Sequence, residues 1–207
     1  MTSSRRGRPI DADGDATRAR ILAAARTAFA ELGYAATTYR LLAKRTGLAP
    51  SGLYNYFGSK VELYNAVHAD VQLENYAGSI LPAISETETF AERIDELLQS
   101  FVTMNSQVPE AAQFQAGARI DTARHAELAP LGEALPSQRS LMFAEMVDLG
   151  IATGELEAGR GEEILAMLET LTVGLIGVSA EPDLHRVAVT GFRRTIAALI
   201  AQETSSK

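Results

Sequence analysis

A chain of 207 residues, 46% hydrophobic but only 6% aromatic and rich in Ala and Leu, has room for one large domain or a small one joined to a larger, and its composition favours helices packed on helices. The absence of cysteine excludes disulfides, thiolate metal sites and a cysteine nucleophile. No apolar run approaches the roughly 18 residues of a membrane span, so an all-α, cytoplasmic protein without a membrane partner is expected. The net charge of −7 argues against nucleic-acid binding over the whole surface, yet residues 1–60 carry ten basic and four acidic side chains, a local +6, while residues 61–207 carry −13. A basic head on an acidic body suits a localised polyanion site; a solvated face of chance composition has the same signature.

Residues 1–16 lack apolar periodicity and read as a disordered basic arm. Its Arg5, Arg6 and Arg8, with Gly7 and Pro9, include an Arg-Gly-Arg-Pro run that resembles an AT-hook core entering a narrow minor groove; an ordinary solvated tail is the other reading. Ile21, Leu22, Ala25, Ala28, Phe29 and Leu32 then form one stripe of an amphipathic helix ended near Gly33. Thr37 and Thr38 are N-cap residues for a short second helix with Leu41, Leu42 and Ala43 inward, and Gly47 supplies the turn that stops it. Pro50 suits the first turn of a third helix with Leu53 and Phe57 buried, Ser51, Gly52, Tyr54 and Asn55 outward and Tyr56 at the edge. Ser59, Lys60, Val61 and Glu62 form a capping box for a fourth, packing through Leu63, Val67 and Val71, with Leu73 as a further candidate.

Three short helices with a glycine turn between the last two make a helix-turn-helix over residues 38–57. Small side chains at Ser51 and Gly52 would allow close approach to base edges, while Tyr54, Tyr56 and Lys60 are donors suited to phosphate oxygens; half-buried packing tyrosines are the alternative. Beyond Glu74, helices are expected at about 88–107, 109–123, 126–153 with interruptions, 160–180 and 183–203, punctuated by prolines and glycines.

The stretch from Thr37 to Leu48, with Ser51 to Phe57 and Ser59 to Leu63, resembles the N-terminal domain of TetR/AcrR regulators, and the resemblance runs from about Thr17 to Val67. It implies a helix-turn-helix domain over 17–66 and a helical ligand-binding and dimerisation domain over 67–207. Carried over by position, Thr38 caps helix 2 and touches phosphate, Arg40 lies near the backbone or groove, Ala49, Pro50, Ser51, Gly52 and Asn55 line the major groove, and Tyr54, Tyr56 and Lys60 bind phosphate. Tyr39 departs from the family's usual smaller residue, leaving two readings, packed inside or reaching DNA. With Ala49 to Gly52 poor in hydrogen-bonding groups, base readout falls to Asn55, Arg40, thymine methyl contacts and DNA shape.

Two apolar stripes, including Leu168, Leu171 and Leu175 in the first and Val189, Phe192 and Ile196 in the second, suit a four-helix interface in a homodimer or, alternatively, the protomer core. Phe101, Met104, Phe114, Met142, Phe143 and Met146 lie at helical spacings on the middle helices, where packing residues can also line a pocket, with Arg119 and His125 as polar candidates. The expected effector is a small, mainly apolar molecule, with an anionic end if Arg119 faces inward. The implied protein is a ligand-responsive regulator, by default a repressor, that binds a near-palindrome in double-stranded DNA. His68, His125 and His185 stand in no metal-ligand spacing, and no phosphate-binding glycine loop or nucleophile elbow occurs, so neither an enzyme nor a cofactor is expected. A helical protein-interaction scaffold is the rival; it accounts for the acidic body but not the basic head.

Overall fold

The structure, a computed structural model, describes residues 10–133 and 138–205, and none of these lies in a β-strand. The first helix, α1 (Ile10–Ala36), starts earlier than the arm over 1–16 allowed; Arg5, Arg6 and Arg8 lie outside the described residues. It breaks where expected: Gly33 takes φ 75°, a left-handed conformation that favours glycine. Leu32, expected on the inward stripe, is instead 46% exposed, because the core-facing arc is filled by Ile21, Leu22, Ala25, Ala28 and Phe29.

In α2 (Tyr39–Thr46) the Thr38 hydroxyl accepts a hydrogen bond from the Leu41 amide at 3.2 Å. Gly47, at φ 71°, ends the helix by donating to the Ala43 carbonyl at 3.0 Å. Pro50 opens α3 (Pro50–Tyr56), where its missing N–H costs nothing. At the start of α4 (Lys60–Gln72) the Ser59 side chain accepts from the Glu62 amide at 3.1 Å, but the Glu62 carboxylate accepts from Gly58 at 2.9 Å, so the box closes one residue earlier than expected.

The helical path continues past α4 through a π-helical stretch (Leu73–Ile80) into α5 (Leu81–Ser85). This region carried no expected helix, and Pro82 read as punctuation; Pro82 falls in the first turn of α5, where proline is tolerated. Then come α6 (Phe90–Gln107), α7 (Pro109–Arg124), a 3₁₀ turn (Ala126–Leu128), α8 (Ala129–Glu133), α9 (Gln138–Thr153), a second 3₁₀ turn (Ala158–Arg160), α10 (Gly161–Gly177) and α11 (Pro182–Ser205).

Two cores result. The first joins Phe29, Leu42, Leu53, Leu63, Tyr64 and Val67 to Ala111, Phe114 and Ala118 of α7. Phe29, Tyr64 and Phe114 form an aromatic cluster, with ring centroids 4.8 Å apart for Phe29–Tyr64 and 5.1 Å for Tyr64–Phe114. Each such pair contributes about 0.5–1.5 kcal/mol beyond area burial. The second core packs Ile80, Phe90, Leu97, Phe143, Met146, Leu168 and Ile196. A division at 66/67 therefore runs through shared packing, since α7 completes the first core. Buried Asp121 of α7 strengthens that seam, accepting from the Tyr34 amide at 3.0 Å and the Tyr64 hydroxyl at 3.2 Å.

Candidate nucleic-acid interface and ligand cavity

The α2–α3 unit presents a polar face over a sealed base. Leu42 and Leu53 are fully buried, leaving Arg40 and Lys44 exposed one turn apart on α2 and Ser51, Tyr54 and Asn55 exposed on α3. Thr38, Ala49 and Pro50 are also exposed, and a Cβ added at Gly52 would meet nothing within 4 Å. Among the described residues neither Arg40 nor Lys44 has an ion-pair partner, whereas Arg45 is held by Glu31 at 2.6 Å.

Tyr39 packs inside. Its hydroxyl donates toward the carbonyls of Phe57 and Ser59, at 2.7 and 2.8 Å, and so clamps the end of α3 to the start of α4. Burial pushes its pKa up to about 12, so the phenol stays a neutral donor. Its ring also meets Tyr54 edge to face at 4.3 Å, orienting that exposed side chain. Tyr56 is half-buried and packs on the first core, so the two tyrosines among the expected phosphate donors differ in exposure. Lys60 has intramolecular partners: its ammonium donates to the Tyr34 carbonyl at 2.9 Å and lies 4.1 Å from the Tyr34 ring centroid. It caps the end of α1, in competition with the phosphate contact expected of it.

The residues expected around a ligand divide. Phe101 and Met104 line a cavity between the helices, together with Ile80, Asn105, Ala112, Gln115, Leu175, Ser179 and His185. Arg119 instead borders an adjoining open cleft with His68, Gln72 and Arg139, and the cavity and cleft share Gln115 and Ile176. Arg139 is already paired with Glu169 at 3.0 Å. Phe114 belongs to the first core, and His125 sits against the Tyr34 ring at 5.0 Å. Met142, Phe143 and Met146 are packed in the second core and line neither space. Asn105, Ser179 and His185 were missed, since an asparagine near a helix end and a serine before a Glu-Pro terminator look like ordinary boundary residues.

The expected dimer residues divide. Leu168, Leu175, Val189 and Ile196 are buried within the protomer and closed to a second chain, while Leu171 and Phe192 are half-buried against the same core. The outward faces instead carry Ala166, Thr170, Gly174 and Gly177 on α10, and Leu184, Val187, Gly191 and Ala198 on α11.

Burial lowers the pKa of both His68 and His185 from the ordinary 6.5. The unfolded chain consequently binds more protons than the folded one as pH falls through and below 6.5, so stability present at neutral pH is lost on acidification. The urea midpoint should fall between about pH 7 and about pH 5.5, with a shallower fall in His68→Gln. A profile unaltered by that substitution would contradict the assignment.

Residues 21–67 match the sequence profile of bacterial regulatory proteins, tetR family. The HTH-type transcriptional activator FasR of Mycolicibacterium smegmatis is 30% identical over 109 residues, 48% of this chain and 49% of that protein, so the match spans about half the length of this curated relative. Among solved structures, Salmonella enterica GusR superimposes with a TM-score of 0.72 at 22% identity, covering 96% of this chain and 100% of that one. A transcriptional regulator from Saccharomonospora viridis in complex with choline gives 0.73 at 17%, covering 90% and 96%. The fatty acid degradation regulator FadR from Bacillus halodurans gives 0.70 at 15%, covering 93% and 96%. At these identities the structural likeness is one of fold.

Proposed function

Since this chain belongs to the tetR family of bacterial regulatory proteins, which are DNA-binding transcription regulators, we propose that it grips an operator through α2, α3 and the start of α4 and responds to a small molecule. Thr38, Tyr54 and Lys44 contact phosphates; Ala49, Pro50, Ser51, Gly52 and Asn55 enter the major groove, with Asn55 and Arg40 reading bases. Tyr56 and Lys60 support this face as much as they touch DNA. The single observation carrying this reading is the set of exposed Ser51, Tyr54 and Asn55 beside the unpaired Arg40 and Lys44, on helices whose buried faces are fully satisfied.

The protein acts as a homodimer on a near-palindrome, two α3 helices entering successive major grooves. The outer faces of α10 and α11 are the proposed contact. A Cβ at Gly174, Gly177 or Gly191 meets nothing within 4 Å, so no packing inside the protomer calls for glycine at these helical positions, where it lowers stability. Gly191→Leu should improve helix propensity yet convert a dimer to monomers in sedimentation and weaken operator binding. A dimer unaffected by this change would contradict the assignment of the face.

Coupling between ligand and DNA is proposed to run through two elements. One face of α7, Ala112 and Gln115, borders the cavity, while Ala111, Phe114, Ala118 and Asp121 face the first core. Ile80, also on the cavity wall, lies on the continuous helical path that starts at Lys60 and runs into α5. A small molecule wedged between them moves α4 and α7 against the helix-turn-helix, and a coupling of roughly 1–3 kcal/mol changes operator affinity about 5- to 150-fold. Release of a repressor is the default sense; the related M. smegmatis protein is named an activator, and operator position relative to the promoter decides the sign.

Selection from a random duplex pool tests the reading. Enrichment of an inverted repeat, bound in the roughly 10⁻⁸–10⁻¹¹ M range with steep salt dependence, is expected. No enriched sequence would favour a protein-binding scaffold.

A further inference from the structure

Two spaces adjoin between the helices of the second half of the chain, and they differ in size. The cavity beside Ile80 encloses about 30 Å³, room for about one water, whereas the cleft next to it offers about 370 Å³, within the range of small-molecule sites. Helices α4, α7 and α10 wall this cleft, and Leu131, Val173 and Ile176 supply apolar surface. Its charge is one-sided. Residues 61–207 hold nine basic and 22 acidic side chains, yet two arginines line the cleft and, among the described residues, no Asp or Glu does. Arg139 is neutralised by Glu169 at 3.0 Å, while Arg119 has no ion-pair partner among the described residues. Burial lowers the pKa of His68, which is therefore uncharged at neutral pH and leaves Arg119 as the net charge of the wall.

We infer that this cleft receives the effector, and that the effector carries one carboxylate, paired with Arg119, on an apolar body lying against Leu131, Val173 and Ile176. The inference rests on the reading of this chain as a regulator that responds to a small molecule. A guanidinium holds a carboxylate through two parallel N–H···O bonds, each stronger than a neutral hydrogen bond. One unpaired guanidinium balances a single negative charge, which favours a carboxylate over a phosphate monoester of nearly twice that charge. The acidic body repels anions over the rest of its surface, so a lone cation beside apolar groups selects position as well as sign. An ammonium would face Arg119 with no acid to offset the repulsion, and an alcohol would gain no ion pair. The same placement suits coupling to DNA. Arg119 precedes Asp121 by two residues on α7, His68 follows Tyr64 by one turn on α4, and the Asp121 carboxylate accepts from the Tyr64 hydroxyl at 3.2 Å. A molecule held in the cleft therefore acts on the two helices that this hydrogen bond joins.

Three probes of one chain length test this on the intact protein at neutral pH: octanoate, octan-1-ol and octylammonium. Calorimetric titration and the rise in Tm should show octanoate bound about tenfold or more tightly than either of the others. Arg119 is exposed, so Arg119→Gln should leave the ligand-free Tm unchanged while the preference over the alcohol shrinks to about twofold or less. Arg119→Lys, which keeps the charge and loses the fork, should retain a preference of about threefold or more. Gln72→Glu, which puts a carboxylate on the same wall, should reverse the order in favour of octylammonium. Equal or tighter binding of the alcohol or the ammonium to the parent, no binding of any probe at millimolar concentration, or a preference surviving both Arg119→Gln and Gln72→Glu overturns the inference. Operator affinity is measured in parallel. If octanoate binds with the stated preference while operator affinity is unmoved, this chemistry of the cleft stands and the effector reading falls. If octan-1-ol or octylammonium changes operator affinity and octanoate does not, the effector reading stands and this chemistry falls.

Discussion

Phe114→Ala should cost about 3–5 kcal/mol of folding stability, the range for emptying a fully buried phenylalanine site. The side chain is 1% exposed and its ring touches Phe29, Tyr64 and His68. Because Phe114 projects from α7 into the core of the helix-turn-helix, the loss should appear in the melting of both regions rather than as local softening. Operator affinity should fall as α4 loses its backing. Leu32→Ala is the internal control: at 46% exposure, that side chain should matter by about 0.5 kcal/mol or less. Urea unfolding followed by circular dichroism decides the matter; a cost below about 1 kcal/mol for Phe114→Ala would mean that α7 is not integral to the first core.

The second large effect is on DNA. Gly52→Glu should reduce operator affinity by about 100-fold or more, since a carboxylate facing phosphates and base edges costs several kcal/mol in repulsion and lost hydration. The fold should be untouched: Gly52 is helical, nothing lies within 4 Å of an added Cβ, and replacing a helical glycine improves propensity. An unchanged Tm with abolished binding is the expected pair of results. Retention of full affinity would remove α3 from the interface.

The helix-turn-helix was legible because its determinants are local. Thr38, Gly47, Pro50 and Ser59 are cap and turn residues whose roles depend on neighbours a few positions away, and all four act as expected. What the sequence concealed was long-range. Tyr39 bonds to carbonyls 18 and 20 residues on, and Asp121 reaches back 87 residues to the Tyr34 amide. No period or motif announces such pairs. The apolar stripes of α10 and α11 were visible, but a stripe is equally apolar whether it meets its own core or a second chain, and here it meets its own core. The dimer face proposed for α10 and α11 rests instead on small residues on the opposite faces, to which a hydrophobicity pattern gives no weight. The two methionines and the phenylalanine of α9 mislead for the same reason: packing and ligand contact call for identical side chains, and only the geometry assigns Met142, Phe143 and Met146 to packing.

Amide hydrogen exchange, with and without an enriched duplex, tests the central claim most directly. Protection should appear over residues 38–60, strongest in α3, with smaller changes along α7 and none on the acidic surface around Glu86, Glu92 and Glu96. Unchanged exchange in α3 alongside protection elsewhere would contradict the assignment of DNA binding to this face.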